Sequence, residues 1–207
     1  MERIRTRHRR RGGWGTDFGR SRRLRPTVTV LEGRTLLSTL TVTNADDSGA
    51  GSLRAAVAQA NTDGGGDTIV FSSLFDSPQT ITLTGGQLEL SGTTGTTTIT
   101  GPGANLLSVS GNKPSRVFLI DQGVTASVSG LTITGGNTAY EGGGLENAGE
   151  LKLTDCTVSG NSAGAGGGLF NTGGGTTTLT HCTFSDNSAV SSGGGLLNYG
   201  GTLSLTD

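Results

Sequence analysis

The feature that most constrains the fold of this chain is a sequence repeat over residues 142–207. Each unit opens with Gly-Gly-Gly-Leu, and the three copies begin at Gly142, Gly166 and Gly193, at intervals of 24 and 27 residues. A unit of this length is one supersecondary element that cannot bury its apolar face alone, so neighbouring units must stack. The repeat therefore predicts a solenoid.

A related pattern fills the chain from Asp67 onward. Leu, Ile or Val alternates with Thr or Ser in short runs that end at Gly, Asn or Asp. Such alternation places one set of side chains inside the fold and the other in solvent. The runs are too short for a sheet with helical crossovers, and they suit a chain that bends three times per turn and stacks on itself.

The register of the coils can be read from a recurring triplet: an aliphatic residue, a hydroxyl residue, then Gly, Asp or His. The triplets begin, at steps of 29, 25, 26 and 26 residues, at Ile99, Val128, Leu153, Leu179 and Leu205. The next strand supplies two inward columns, formed by Leu107, Leu131, Cys156 and Cys182 and by Val109, Ile133, Val158 and Phe184. Every inward position is apolar or cysteine, so the sequence predicts an all-β parallel β-solenoid of about five to six coils.

One short helix is predicted, over residues 52–61, with Ser52 or a neighbouring glycine as its N-cap. One face of this helix is apolar and consists of Leu53, Ala56, Val57 and Ala60. A lone amphipathic helix before a β-repeat array is expected to cover the open end of the core. The predicted organisation is a tail with a sorting-like segment (1–38), an N-terminal cap of one strand and the helix (39–66), and the β-helix (67–207).

Charge is distributed unevenly along the chain. Residues 1–25 carry ten arginines against Glu2 and Asp17, a net charge of +8, whereas residues 26–207 carry −9. A segment so charged and so poor in apolar residues is expected to be disordered. Clustered arginines attract phosphates, so an arm for nucleic acid or another anionic surface is one interpretation. We favour a targeting tail and expect no nucleic-acid partner. No apolar run approaches the roughly 18 residues of a transmembrane segment.

Several stretches resemble segments of known surface proteins. Residues 31–37, Leu-Glu-Gly-Arg-Thr-Leu-Leu, resemble the LEPR-x-LL motif, a sorting or secretion segment of large planctomycete-type surface proteins, with Gly33 in place of proline. Residues 45–61, followed by Asp-Thr-Ile-Val-Phe, resemble the cap of bacterial right-handed β-helix repeat proteins of the CSLREA type, with residues 51–56 at the motif itself. The Gly-Gly-Gly-Leu blocks and residues 184–187 resemble tetrapeptides of the polymorphic outer membrane proteins. The resemblance implies a right-handed β-helix in a secreted, cell-surface or outer-membrane-associated protein, often adhesin-like.

Parallel β-helices also host polysaccharide lyases and glycosidases, which depend on specific catalytic groups. Glycosidases need carboxylates around the scissile bond, and lyases need an acidic Ca²⁺ cluster with an Arg or Lys base. Residues 61–63 (Asn-Thr-Asp) and 46–47 (Asp-Asp) match two pectin-hydrolase motifs locally, but their companion motifs are missing, and we interpret both matches as chance. The best remaining cluster is formed by Lys152, Asp155 and His181, which we interpret as solvated surface residues.

Two glycine-containing stretches match ligand-binding motifs only in part. Residues 64–68 resemble one calcium-binding RTX nonapeptide without tandem copies, and residues 101–103 (Gly-Pro-Gly) lack the context of a dinucleotide-binding loop. We therefore predict no catalytic residue, no cofactor and no metal ligand, and we do not predict an enzyme.

Recurring Asn and Cys residues are interpreted as structural. The asparagines occur at turn positions, as Asn147, Asn171 and Asn198 and as Asn161 and Asn187, where stacked amides can bond along the array. Cys156 and Cys182 stack one coil apart, and a separation near 4.8 Å falls inside the range of about 4.4–6.8 Å between disulfide Cα atoms. Both a disulfide and two buried free thiols remain open, and we favour the thiols.

The functional hypothesis is a secreted or cell-surface β-helix repeat protein with a structural or adhesin-like role. The alternative is a carbohydrate-active β-helix enzyme, a polysaccharide lyase or glycoside hydrolase, or a fragment of one. Cell-surface glycans or other surface proteins are the expected partners. The third repeat unit ends at the triplet of residues 205–207, so we expect an incomplete last coil, in a fragment of a longer array or in a chain that associates end to end.

Overall fold

The structure, a computed structural model, describes residues 37–63, 66–112 and 114–206. The predicted basic tail and residues 31–36 of the sorting-like segment lie outside these residues. The described part contains nineteen short strands, one α-helix and one 3₁₀ turn. The first nine strands are β1 (Thr39–Val42), β2 (Thr68–Phe71), β3 (Gln79–Thr82), β4 (Leu88–Leu90), β5 (Thr96–Thr100), β6 (Leu107–Ser110), β7 (Phe118–Ile120), β8 (Thr125–Ser129) and β9 (Thr132–Thr134). The remaining strands are β10 (Leu145–Asn147), β11 (Glu150–Thr154), β12 (Thr157–Ser159), β13 (Ser162–Ala165), β14 (Leu169–Asn171), β15 (Thr176–Thr180), β16 (Thr183–Ser185), β17 (Ser188–Ser192), β18 (Leu196–Asn198) and β19 (Thr202–Thr206).

The strands form a right-handed parallel β-solenoid of about 6 turns, as the sequence predicts. Sheet A has seven strands, in the order β1-β2-β5-β8-β11-β15-β19. Sheet B has five strands, in the order β3-β6-β9-β12-β16, and sheet C has five, in the order β4-β7-β10-β14-β18. A small sheet D pairs β13 with β17. Every pairing between these strands is parallel, so each coil lies on the equivalent segment of its neighbour.

The predicted register is confirmed along the array. Ile99 pairs with Val128, Val128 with Leu153, Leu153 with Leu179, and Leu179 with Leu205 in sheet A. In sheet B, Val109, Ile133, Val158 and Phe184 follow one another in the same way. The first three of these sheet B side chains are fully buried, because the period of two along each strand places them all inside the coil.

The repeated glycines lie at a corner where any other residue would force the neighbouring atoms to shift. Gly142, Gly166 and Gly193 all have positive φ angles, of 63°, 60° and 65°. A Cβ on Gly166 would lie 2.8 Å from Cβ of Phe170, closer than real Cβ atoms approach one another. The first glycine of each Gly-Gly-Gly-Leu block is therefore explained by the turn into sheet C, which needs a positive φ and leaves no room for a Cβ atom.

The N-terminal helix α1 (Leu53–Thr62) covers the core beside β1 and β4, as predicted. Its N-cap is Ser52, whose hydroxyl accepts a hydrogen bond from the Ala55 N–H at 3.2 Å. Leu53, Val57 and Ala60 are buried against the same core that the coils enclose.

A polar clamp fixes the cap to the first coil. The guanidinium of Arg54 donates to Asp47 Oδ1 at 2.8 Å and to the carbonyls of Gln87 at 2.8 Å and Gly86 at 2.6 Å. The second oxygen of Asp47 accepts from the N–H of Gly85 at 2.7 Å and from the Thr84 hydroxyl at 2.9 Å. Burial disfavours ionisation of Asp47, but these donors outweigh it, so the pKa of the carboxyl is lowered.

Two predicted asparagine columns are also observed. Asn147 donates to Oδ1 of Asn171 at 2.9 Å, and Asn171 donates to Oδ1 of Asn198 at 2.7 Å. In the second column, Asn161 donates to Oδ1 of Asn187 at 3.0 Å. The amides of Asn147 and Asn171 are fully buried, so these bonds replace the water that the side chains would otherwise require.

Two elements extend the predicted layout of three bends per turn. A 3₁₀ turn (Ser73–Asp76) follows β2 and buries Phe75. The later coils add a fourth short strand, β13 or β17, whose pairing contains a register shift between Ala163 and Ala165.

Candidate functional site

The most uniform surface of the described chain is the outer side of sheet B, here called the hydroxyl face. Each of its five strands presents two outward residues, and all ten are Ser or Thr. The members are Thr80 and Thr82, Ser108 and Ser110, Thr132 and Thr134, Thr157 and Ser159, and Thr183 and Ser185. Neighbouring strands lie about 4.8 Å apart and outward residues of one strand about 6.7 Å apart, so the hydroxyls form a two-dimensional array.

The array is regular and open to solvent. The pairings that build sheet B contain no register shift, in contrast to sheet D. None of the ten residues is buried. Within the described residues, Thr132 is the one member whose hydroxyl donates to another protein group, the carbonyl of Ala104 at 2.7 Å. The other hydroxyls are therefore available to water or to a ligand.

Sheet A offers a similar but interrupted surface. The outward residues of β5, β8, β15 and β19 are again Ser or Thr. Strand β11 breaks this pattern, because it presents Glu150 and Lys152 in the middle of the sheet. A ligand that lies along sheet A would contact a pair of opposite charges. None of the ten residues of the hydroxyl face is charged.

The predicted cluster of Lys152, Asp155 and His181 is only partly assembled. His181 Nδ1 lies 3.3 Å from Asp155 Oδ1 in the adjacent coil, and both side chains are more than half exposed, at 59% and 65%. Both residues have positive φ, at the corner that Gly130 occupies one coil earlier. Lys152 projects from β11, where its backbone neighbours are Ser127 and Thr178. This geometry fits a solvated corner pair.

A group of carboxylates on sheet C was missed by the sequence reasoning. Glu89 on β4 and Glu146 on β10 point outward on either side of β7, and Asp121 follows β7 directly. Burial raises the pKa of Asp121, and the charges of Glu89 and Glu146 raise it further. Arg116 forms an ion pair with Glu146.

The two apparent pectin-hydrolase motifs have structural roles. Asp47 belongs to the clamp on Arg54 described above. Asn61 joins helix α1 to the turn after β4, because its amide donates to the Glu89 carbonyl at 2.8 Å and its oxygen accepts from the Ser91 N–H at 3.0 Å. Both motifs therefore serve the N-terminal cap.

Residues 64–68, which resemble a calcium-binding RTX nonapeptide, include one buried carboxylate. Asp67 is fully buried and accepts hydrogen bonds from the N–H of Ser38 at 3.0 Å and from the Ser38 hydroxyl. Gly64 and Gly65 lie outside the described residues. Among the residues that are described, no three His, Cys, Asp or Glu side chains converge as metal ligands.

No family model matches the chain, and a comparison with curated proteins found no significant match. Within the described ranges, no helix is long and apolar enough to span a membrane. The solenoid, its cap and the surfaces described above are thus the observations from which a function must be inferred.

Proposed function

We propose that this chain is a secreted or cell-surface β-helix protein with a structural or adhesin-like role, and that the hydroxyl face binds neutral polysaccharide. The single observation that supports this proposal is the uniformity of the face: ten outward positions on five strands, all Ser or Thr. A core of this fold requires only that the inward residues be apolar, so the solenoid itself does not explain the outward pattern.

The chemistry of the face suits a neutral, repeating ligand. A hydroxyl both donates and accepts hydrogen bonds, as do the hydroxyls of sugars. Each contact with solvent-exposed groups contributes little, because it replaces a bond to water. Many such contacts in a periodic array act together once the first one forms, since the later contacts are then intramolecular. A polysaccharide with its own regular repeat would meet this condition.

Features of the N-terminal sequence support an exported location. The LEPR-x-LL-like stretch at residues 31–37 follows a basic tail, and the CSLREA-like stretch at residues 51–56 precedes the β-helix. We infer membership of this group of surface β-helix proteins from that order of segments. Fractionation of cells that produce the natural chain, with and without residues 1–37, would test it; a cytoplasmic location of both would contradict it.

Binding is tested by a glycan array probed with the full chain, followed by pull-down on insoluble polysaccharides. Thr134→Val with Thr157→Val removes two hydroxyls from the face and keeps the β-branched shape. The matched control is Thr98→Val with Thr178→Val on sheet A. We expect the sheet B variant to bind more weakly than the natural chain and the control to bind as the natural chain does. Equal binding by both variants, or no glycan bound by the natural chain, would overturn the proposal.

One observation favours the carbohydrate-active enzyme as a second candidate. A general acid needs a carboxyl with a raised pKa, and Asp121 beside Glu89 has that property. Release of reducing ends or unsaturated products from pectin and other polyuronides would reveal turnover. Turnover that Asp121→Asn abolishes would establish the enzyme and overturn the purely adhesive role.

A further inference from the structure

Cys156 and Cys182 occupy equivalent places in adjacent coils. Each is the first inward residue after the corner between sheets A and B. The strands that follow pair in register, Thr157 with Thr183, and the Thr183 N–H donates to the Cys156 carbonyl at 2.9 Å. The two Cα atoms are therefore one coil spacing apart, about 4.8 Å, which lies within the range of about 4.4–6.8 Å found for disulfides.

The two side chains also have the same orientation. Sγ of Cys156 lies 3.3 Å from the carbonyl of Thr154, and Sγ of Cys182 lies 3.3 Å from that of Thr180. Both cysteines are free, and the in-register pairing of β12 with β16 places them at equivalent positions of adjacent coils. A disulfide needs Cβ atoms about 3.5–4.5 Å apart, so the bridge requires the two side chains to approach slightly closer than the coil spacing of about 4.8 Å.

The surroundings make the two thiols unequal. Cys156 is 1% exposed, whereas Cys182 is half-buried and lines a cavity with Leu179, Phe184 and Leu205. The neighbouring thiol of Cys156 lowers the pKa of Cys182, while the thiol of Cys182 and burial raise the pKa of Cys156. The accessible thiol is thus also the one that more readily becomes a thiolate, the form that attacks disulfides.

We propose that this pair is an oxidation site in which Cys182 is the attacking thiol and Cys156 the resolving thiol. The oxidant is a low-molecular-weight disulfide. Cys182 loses its proton, attacks one sulfur of the disulfide and displaces the other as a thiol, which leaves a mixed disulfide. Cys156 then attacks Sγ of Cys182 and releases the second thiol. Two cysteine thiols and one disulfide become one inter-coil disulfide and two small thiols, so atoms and electrons balance.

The bridge would fasten the coil that contains β16 to the coil that contains β12. It closes a covalent loop between residues 156 and 182, which restricts the unfolded chain. It also adds a covalent link between two layers that otherwise hold together through strand pairing, core contacts and the Asn161–Asn187 hydrogen bond. Oxidation is therefore expected to raise the thermal midpoint of the protein.

The test incubates the full chain with oxidised glutathione, quenches it with an alkylating reagent and measures the intact mass. The natural chain should become lighter by two hydrogens and take up no alkyl group. Cys156→Ser should stop at one glutathione, on Cys182. Cys182→Ser should react at least about tenfold more slowly, because its remaining thiol is buried. A natural chain that stays reduced, or that keeps a stable mixed disulfide, would overturn the proposal.

A second readout does not depend on the variants folding. The thermal midpoint of the natural chain should rise on oxidation and return when a reductant is added. An unchanged midpoint, with the inter-coil disulfide confirmed by peptide mapping, would contradict the fastening role.

Discussion

Asn171 is the side chain with the clearest individual role in the array. It accepts from Asn147 on one side, donates to Asn198 on the other, and accepts a further bond from the Thr177 hydroxyl at 2.9 Å. All these groups except Asn198 are buried. Removal of the central amide would leave buried donors and acceptors without partners, which costs more than the loss of the bonds themselves.

We therefore predict that Asn171→Ala lowers the free energy of unfolding by about 1–3 kcal/mol. Asn198→Ala, at the exposed member of the same column, should cost much less. Urea denaturation followed by circular dichroism would measure both. Equal losses for the two variants would show that burial of the ladder does not matter.

Asp121 should make stability depend on pH. Its pKa is raised in the folded state, so the folded chain holds the proton more tightly than the unfolded chain. This contribution is fully present below the ordinary pKa of an aspartate and is lost as the pH rises through the raised value. We predict that, in Asp121→Asn, the thermal midpoint falls less steeply as the pH rises from the ordinary aspartate pKa to the raised value. Asp76→Asn, at an exposed carboxyl elsewhere, is the control for the loss of one negative charge.

Helix α1 depends on its clamp as well as on its apolar face. Arg54 donates hydrogen bonds both to Asp47 and to the turn between β3 and β4. Because the pKa of Asp47 is lowered, its contribution is present at neutral pH and is lost as the pH falls through the lowered value.

We predict that Arg54→Ala destabilises the cap by about 1–2 kcal/mol, since the guanidinium bonds are charge-assisted but partly exposed. Arg54→Lys should recover only part of this, because an ammonium lacks the fork that reaches three acceptors. Hydrogen exchange of the α1 amides would report the loss. Unchanged protection of α1 in both variants would contradict a role for the clamp.

The elements differed in how much of them could be predicted from the sequence. The strands were predictable because an inward position must be apolar in every coil, and the triplets from Ile99 to Leu205 fix the register. Helix α1 was predictable from its alanines and Ser52. Strand β13 contains Gly164 and little apolar surface, so its pairing with β17 depends on a neighbour that the local sequence does not identify.

The candidate sites were less predictable. Glu89 and Asp121 belong to early coils whose lengths depart from the later repeat, so their contact could not be read from a fixed interval. The hydroxyl face was visible as alternation, but its continuity across five strands became clear only from the pairing.

Contacts between neighbouring coils stabilise the solenoid as a whole. Ile133, in the middle of the array, is fully buried between Val109 and Val158. Leu205 on β19 is 72% exposed. A repeat array is stabilised mainly by nearest-neighbour interfaces, so the position of a residue along the axis should set its importance.

We predict that Ile133→Ala lowers the free energy of unfolding by about 2–5 kcal/mol. Leu205→Ala, the same kind of truncation at an exposed site, should stay within about 0.5 kcal/mol. Guanidinium denaturation of both variants would compare them directly. Comparable losses would argue against this gradient along the axis.

The register shift in sheet D has a consequence for how such a chain can diversify. Asn161 and Asn187 are 26 residues apart, but the glycine corners that follow, at Gly166 and Gly193, are 27 apart. The additional residue lies in β17, where the pairing slips past Ala163. Sheet B, immediately before it, keeps its register. Sheet D can therefore vary in length while sheet B keeps the spacing of its strands. Insertions engineered into sheet D should leave the hydroxyl face unchanged.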